Sequence, residues 1–199
     1  MSDNDKIFIS IASYCDPELV NTINDCIKRA QEPENLVFCI AHQHNKDDAW
    51  DNLDDFKDDP RFRIIDIDHK DSLGPCWARS LIQQHYQGEK YTLQIDSHHR
   101  FTRWWDMKCK MMLESLQTKG HQKPILTSYI PSYNPNNDPY ERMREVWKMD
   151  FDRFTPEGIV FMLPAPMEAP EEKTLPVPTR FFSAHFMFTI GPFNKEVPY

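Results

Sequence analysis

The stretch Tyr91-Thr92-Leu93-Gln94-Ile95-Asp96-Ser97-His98 decides both the fold and the chemistry of this chain. Tyr91 to Ile95 reads as a strand, and a strand's period of two turns Asp96 and His98 to one face, where the backbone leaves the sheet. A carboxylate and an imidazole so placed offer one hard oxygen and one borderline nitrogen. That pair suits a divalent ion such as Mn²⁺ better than an all-oxygen calcium site or a thiolate zinc site. Two protein ligands leave coordination positions open, and a diphosphate can fill them. Asp and His also share loops without any metal, so the motif gains meaning only from its surroundings.

Working outward, Ile7 to Ala12 reads as a buried strand, and Asp16-Pro17-Glu18 opens a helix with Asp16 as N-cap. Leu19, Ile23, Cys26 and Ala30 mark its inner face. Leu36 to Ala41 and Phe62 to Ile67 read as the next two strands. Between them, the acids from Asp47 to Asp59 accompany Trp50, Leu53 and Phe56 at spacings that fit a short surface helix with a solvated face. Pro75 starts a helix with Ala78, Leu81, Ile82 and His85 on one side. After the Asp-Ser-His turn, Trp105, Cys109, Met112 and Leu116 recur at helical spacing, followed by a strand candidate, Ile125 to Ile130. This alternation predicts a mostly parallel α/β sheet with ligands at the carboxyl ends of the strands. From Pro131 to Pro178 prolines interrupt any long element, and Arg180 to Ile190 returns to strand composition.

The chain has 199 residues, enough for one substantial core, and reads as a single domain over 1–199 with a disordered tail at 1–6 and irregular site-lining loops at 131–180. A formal charge of -8 argues against a nucleic-acid or anionic-membrane surface. With only five glycines there is no GxGxxG or GxxxxGKS phosphate loop. No stretch reaches the roughly 18 apolar residues of a membrane span, and the N-terminus is no signal peptide. The five cysteines lack CxxC spacing and fit a reducing, cytoplasmic setting.

Three segments meet if the sheet forms as read. Ser13-Tyr14-Cys15-Asp16 brings hydroxyls, a ring and a carboxylate that can hold a nucleoside, with the plain N-cap as the competing reading of Asp16. Gly74-Pro75-Cys76-Trp77-Ala78-Arg79 puts an arginine in the second turn of a helix, where it can fork onto a phosphate or form a surface ion pair. The third segment is Asp96-Ser97-His98. His42-Gln43-His44 repeats the i, i+2 spacing without an adjacent carboxylate, and reads as hydrogen-bonded or solvent-exposed. Trp105 shares a stripe with Cys109 and Met112 and reads as core.

Ile7 to Leu19, Gly74 to Arg79 and Leu93-Gln-Ile-Asp-Ser-His-His-Arg-Phe101 together resemble the glycosyltransferase family typified by the cytoplasmic UDP-GlcNAc transferase that modifies a hydroxyproline of Skp1. The resemblance extends through Phe182-Ser-Ala-His-Phe-Met-Phe188 and, more distantly, to the polypeptide GalNAc transferases. It implies a Rossmann-like GT-A fold, truncated at its C-terminus relative to the family. It implies a UDP-sugar donor, a protein or glycan acceptor, and Mn²⁺ or another divalent cation on Asp96 and His98. Ser13, Tyr14, Asp16, Arg79, Asp96, Ser97 and His185 would bind the donor, His185 near the transferred sugar. A catalytically silent nucleotide-sugar or partner-binding module on the same fold is the alternative.

Overall fold

The computed structural model describes residues 5–170 and 176–199. The strands β1 (Ile7–Tyr14), β2 (Leu36–His44), β3 (Phe62–Asp68) and β4 (Tyr91–Asp96) run parallel. With β5 (Leu126–Thr127) and β8 (Phe186–Ile190) they make a six-stranded sheet ordered β3-β2-β1-β4-β8-β5. Only β8 runs against its neighbours, pairing antiparallel with β4 and β5. The result is the mostly parallel α/β sheet expected from the alternation of elements.

Register explains the layers. Ile7, Ile9 and Ile11 align with Leu36, Phe38 and Ile40 on one side and with Tyr91, Leu93 and Ile95 on the other. These side chains share one face, which α1 (Leu19–Arg29) and α3 (Trp105–Thr118) cover with Leu19, Ile23, Trp105, Cys109 and Leu113. Phe8, Cys39 and Ala41 point the other way, onto Ala78 and Ile82 of α2 (Pro75–Gln84). Each such aliphatic side chain, fully buried, contributes about 1.5–3 kcal/mol. Helices on both faces leave the strands' carboxyl ends as the open edge, which is where a parallel sheet offers a site.

Several expectations change. His85 is exposed just after α2 rather than on its buried side, and the next residue, Tyr86, turns back onto Phe8 in its place. The acidic connection forms only a short 3₁₀ turn over Asp54–Phe56, and Asp51 within it is buried, not solvated. Inside the proline-rich segment, β6 (Trp147–Phe154) and β7 (Val160–Pro166) pair as an antiparallel ribbon around a turn closed by Thr155 and Gly158. Its prolines sit in a two-stranded ribbon, where every strand is an edge and a missing N–H donor is tolerated. Of the expected tail, residues 1–4 lie outside the described residues. Asp5 is ion-paired to Lys90, and the Lys6 carbonyl accepts the Tyr91 N–H. Residues 171–175 also lie outside the description.

Candidate active site

Asp96 closes β4, and the α2 helix delivers Arg79 to it. Gly74, with φ of 95°, takes a backbone conformation that side-chain-bearing residues avoid, and Pro75 then starts α2. One turn on, the Arg79 guanidinium donates to Asp96 Oδ1 at 3.0 Å. Arg79 is buried while Asp96 is 37% exposed at its side chain, so the pair has a dry cation and a wet anion. Arg79 Nε is buried and has no hydrogen-bond partner among the described residues. The guanidinium carbon also stands 5.8 Å from the centre of the Tyr199 ring.

His98 is held from the other side. Its Nδ1 lies 2.8 Å from Asp16 Oδ2, the same oxygen that accepts the Ser97 hydroxyl at 2.5 Å. Asp16 Oδ1 accepts the Glu18 N–H at 2.9 Å, which shapes the entry to α1. Asp16 is therefore not the cap residue itself, since the helix starts at Leu19; it stabilises the turn before it and tethers the histidine. Burial pushes the Asp16 carboxyl up, but the His98, Ser97 and Glu18 hydrogen bonds prevail and hold it down at about 2. The hydrogen bond to Asp16 raises His98 above the ordinary histidine value, against the opposing effect of burial. A carboxylate on one ring nitrogen fixes the ring and presents the other, Nε2, as a donor for a metal. Asp96 and His98 thus have the chemistry and exposure of a divalent-ion donor pair, with Asp16 as its support.

Both residues line a cavity of about 1060 Å³ that also takes in Tyr129, Tyr133, Trp147 and His185. His185 is fixed at both nitrogens: Nε2 accepts the Ile130 N–H at 3.0 Å, and Nδ1 meets the Ser183 hydroxyl at 2.9 Å. Burial lowers its pKa, so it serves as a neutral wall of the cavity. Arg100, on the same wall, binds Glu18, just before α1, and donates to Asp138 Oδ2 at 2.7 Å. Its guanidinium lies over the Tyr133 ring at 4.3 Å, and the Tyr133 hydroxyl donates to Glu18 at 3.0 Å. Arg142 bonds to Asp138 and, at 3.1 Å, to Asp25. The loop around 133–142 is in this way riveted to α1 by alternating charges.

The structure brings Asp16, Arg79, Asp96, Ser97 and His98 together, and His185 shares the cavity with Asp96 and His98. Of the two readings of Arg79, the ion pair is present, with a buried arginine and Asp96 itself as the partly exposed partner. Ser13 behaves differently: its side chain is fully buried on the α1 face, with Oγ lacking a partner, whereas Tyr14 is 55% exposed. Trp105 is core, its indole N–H donating to the Cys26 carbonyl. Glu18, Arg100, Tyr133, Asp138 and Arg142 carried no local signal, because nothing in their spacing announces contacts between segments so far apart in the chain.

A model of the glycosyltransferase (GlcNAc) family matches residues 6–60 and 56–199. The chain belongs to this GlcNAc glycosyltransferase family. No curated protein matches it in sequence. Among solved structures it is similar to Staphylococcus aureus TarS residues 1–349, at TM-score 0.47 and 12% identity, covering 67% of this chain and 38% of that one. The same protein in complex with UDP-GlcNAc gives TM-score 0.48, 12% identity, and coverage of 67% and 37%. The matched region thus spans well under half of those chains. Family membership and the sheet order identify the GT-A architecture.

Proposed function

We propose that this chain carries out the donor half of GlcNAc transfer: it binds UDP-GlcNAc and directs the sugar to a hydroxyl of a protein or glycan acceptor. The observation that carries the reading is Asp96 and His98 at the cavity edge, with His98 held by Asp16 so that Nε2 stays available. Membership of a GlcNAc-transferase family supports the sugar, and five thiols without a disulfide support a cytoplasmic setting.

Asp96 and His98 would hold Mn²⁺ or a similar cation, which when bound offsets the negative charge that develops on the departing diphosphate. Arg79 has a matching task. Its guanidinium now neutralises Asp96, and a diphosphate competes for the same donors through paired charge-assisted hydrogen bonds. Moving from carboxylate to phosphate, Arg79 would release Asp96 as the donor arrives. Tyr14, exposed at the end of β1, offers its ring to the uracil, while the buried Ser13 supports the strand end beneath. His185 would bound the side where the sugar lies, and this half-buried, neutral ring can hydrogen-bond a sugar hydroxyl only by giving up one present partner.

The test is release of UDP from UDP-GlcNAc by the purified chain with Mn²⁺, with and without candidate hydroxyl acceptors. Asp96→Asn should lower the rate about 100-fold, the loss typical of removing one stabiliser of transition-state charge. UDP-GlcNAc binding without any turnover would instead favour the silent binding module.

A further inference from the structure

On the opposite face of the sheet from Asp96, β2 ends in two imidazoles. His42 and His44 project to the same side, their rings stacked at 4.0 Å and 10°. The sequence around them has no neighbouring carboxylate, but the fold supplies two. Asp51, from the acidic loop, places Oδ1 2.8 Å from His42 Nε2, and Asp66, from β3, places Oδ1 2.8 Å from His44 Nε2.

Asp51 sets this group apart from an ordinary acidic surface. Asp47, Asp54, Asp55 and Asp58 are exposed, whereas Asp51 is 4% exposed and His42 3%. One ligand atom from each of His42, His44 and Asp51 lies within 4.8 Å of the others. A separate observation points the same way: Asp51 Oδ2 and His44 Nδ1 are both buried and have no hydrogen-bond partner among the described residues. A buried polar atom left unmatched costs about 1–3 kcal/mol, and two at one spot call for a common partner. That partner must attract a carboxylate oxygen and a ring nitrogen together, as a cation does.

We propose that His42, His44 and Asp51 form a second metal site, for a divalent transition ion of the Zn²⁺ class, which pins the acidic loop to the end of β2. Two imidazole nitrogens and one carboxylate oxygen are a donor set Zn²⁺ favours, with a fourth position left for water. Asp66 completes the arrangement as the carboxylate that keeps a proton on His44 Nε2 and turns Nδ1 to the ion. At His42 the ion replaces the hydrogen bond to Asp51, and the ring keeps its proton on Nδ1. Nothing in this site depends on the donor-binding reading, since none of its residues lines the cavity.

The test uses the full chain, stripped with a chelator and titrated with Zn²⁺ by calorimetry without nucleotide. The wild type should take up one equivalent, retained in Asp96→Asn combined with His98→Gln. His42→Gln and Asp51→Asn should each weaken uptake by at least about tenfold, the loss seen when mere supporting partners of a ligand are removed. Because His42 and Asp51 are buried and their replacement can itself unfold the chain, ring-nitrogen NMR of the wild type provides the independent readout: Zn²⁺ should shift the His42 and His44 signals. No uptake by the wild type, unmoved ring signals, or loss of the equivalent in the Asp96–His98 variant would each overturn the proposal.

Discussion

At the scale of single residues, Asp16 joins the helix entry to the candidate catalytic edge. One oxygen accepts the Glu18 N–H and the other holds Ser97 and His98. Asp16→Ala should therefore have two separable effects. Loss of the turn should cost about 1 kcal/mol in urea unfolding, the usual worth of a helix-entry carboxylate. Loss of the tether should lower UDP-GlcNAc turnover about 10–100-fold, as when a ligand's supporting partner is removed. Asp16→Asn, which can still accept from Glu18, should restore most of the stability but little of the turnover; equal recovery of both would contradict the tether. The N-cap reading of Asp16 fails by two residues, since Glu18 precedes the helix, and only the three-dimensional path of β4 shows that the same carboxylate also meets Ser97 and His98. Ser13 was read as a nucleoside contact from its place in the chain. Its burial follows from register, since it shares the face of Ile7, Ile9 and Ile11.

At the scale of elements, β1, β2, α2 and β4 could be read from the sequence because their apolar periods are local. The direction of β8 could not, since its composition is the same whichever way it pairs. What fixes it is the register Leu93–Phe188 and the turn at Gly191 that follows. The β6–β7 ribbon was equally hidden, because its pairing is interrupted by a register shift between Phe151 and Arg153 and its second strand carries Pro164 and Pro166. Gly191 tests the packing of this part of the sheet. A Cβ there would stand 1.9 Å from the Glu89 carbonyl oxygen and 2.6 Å from the Tyr86 hydroxyl. Gly191→Ala should destabilise the fold by about 1–3 kcal/mol, the typical cost of overpacking, seen as an earlier denaturation midpoint with an unchanged slope. An unshifted midpoint would mean that the strand end is looser than described.

At the scale of the whole molecule, the carboxyl edge is one wall built from distant parts of the chain. Asp25 of α1, Glu18 just before it, Arg100 after β4, and Asp138 and Arg142 from the long connection form a continuous ionic clasp. Hydrogen bonds from Arg142 hold the Asp138 carboxyl down at about 2, with Arg100 adding to the effect and burial opposing it. A depressed carboxylate contributes stability that is full above its unfolded value, near 3.8, and is lost as pH falls through the folded value. The clasp should therefore weaken between about pH 4 and pH 2, by about 2 kcal/mol for this group. Asp138→Asn should flatten that part of the stability–pH curve, and an unaltered curve would show that the clasp carries no acid sensitivity. Such a clasp was invisible in the sequence because each member looks like an ordinary surface charge. The position of Asp96, by contrast, was legible because it closes a strand with a local apolar period, while His98 lies in the bend beyond it and is placed by Asp16.

The central claim is that Asp96 and His98 serve a donor bound together with a divalent ion. Calorimetric titration of the full chain with UDP-GlcNAc, with and without Mn²⁺, addresses it most directly, using Asp96→Asn and His98→Gln for comparison. The account predicts binding that strengthens at least about tenfold with Mn²⁺ in the wild type and loses that gain in both variants. Binding of equal strength with and without the ion, or a gain that survives in both variants, would contradict it.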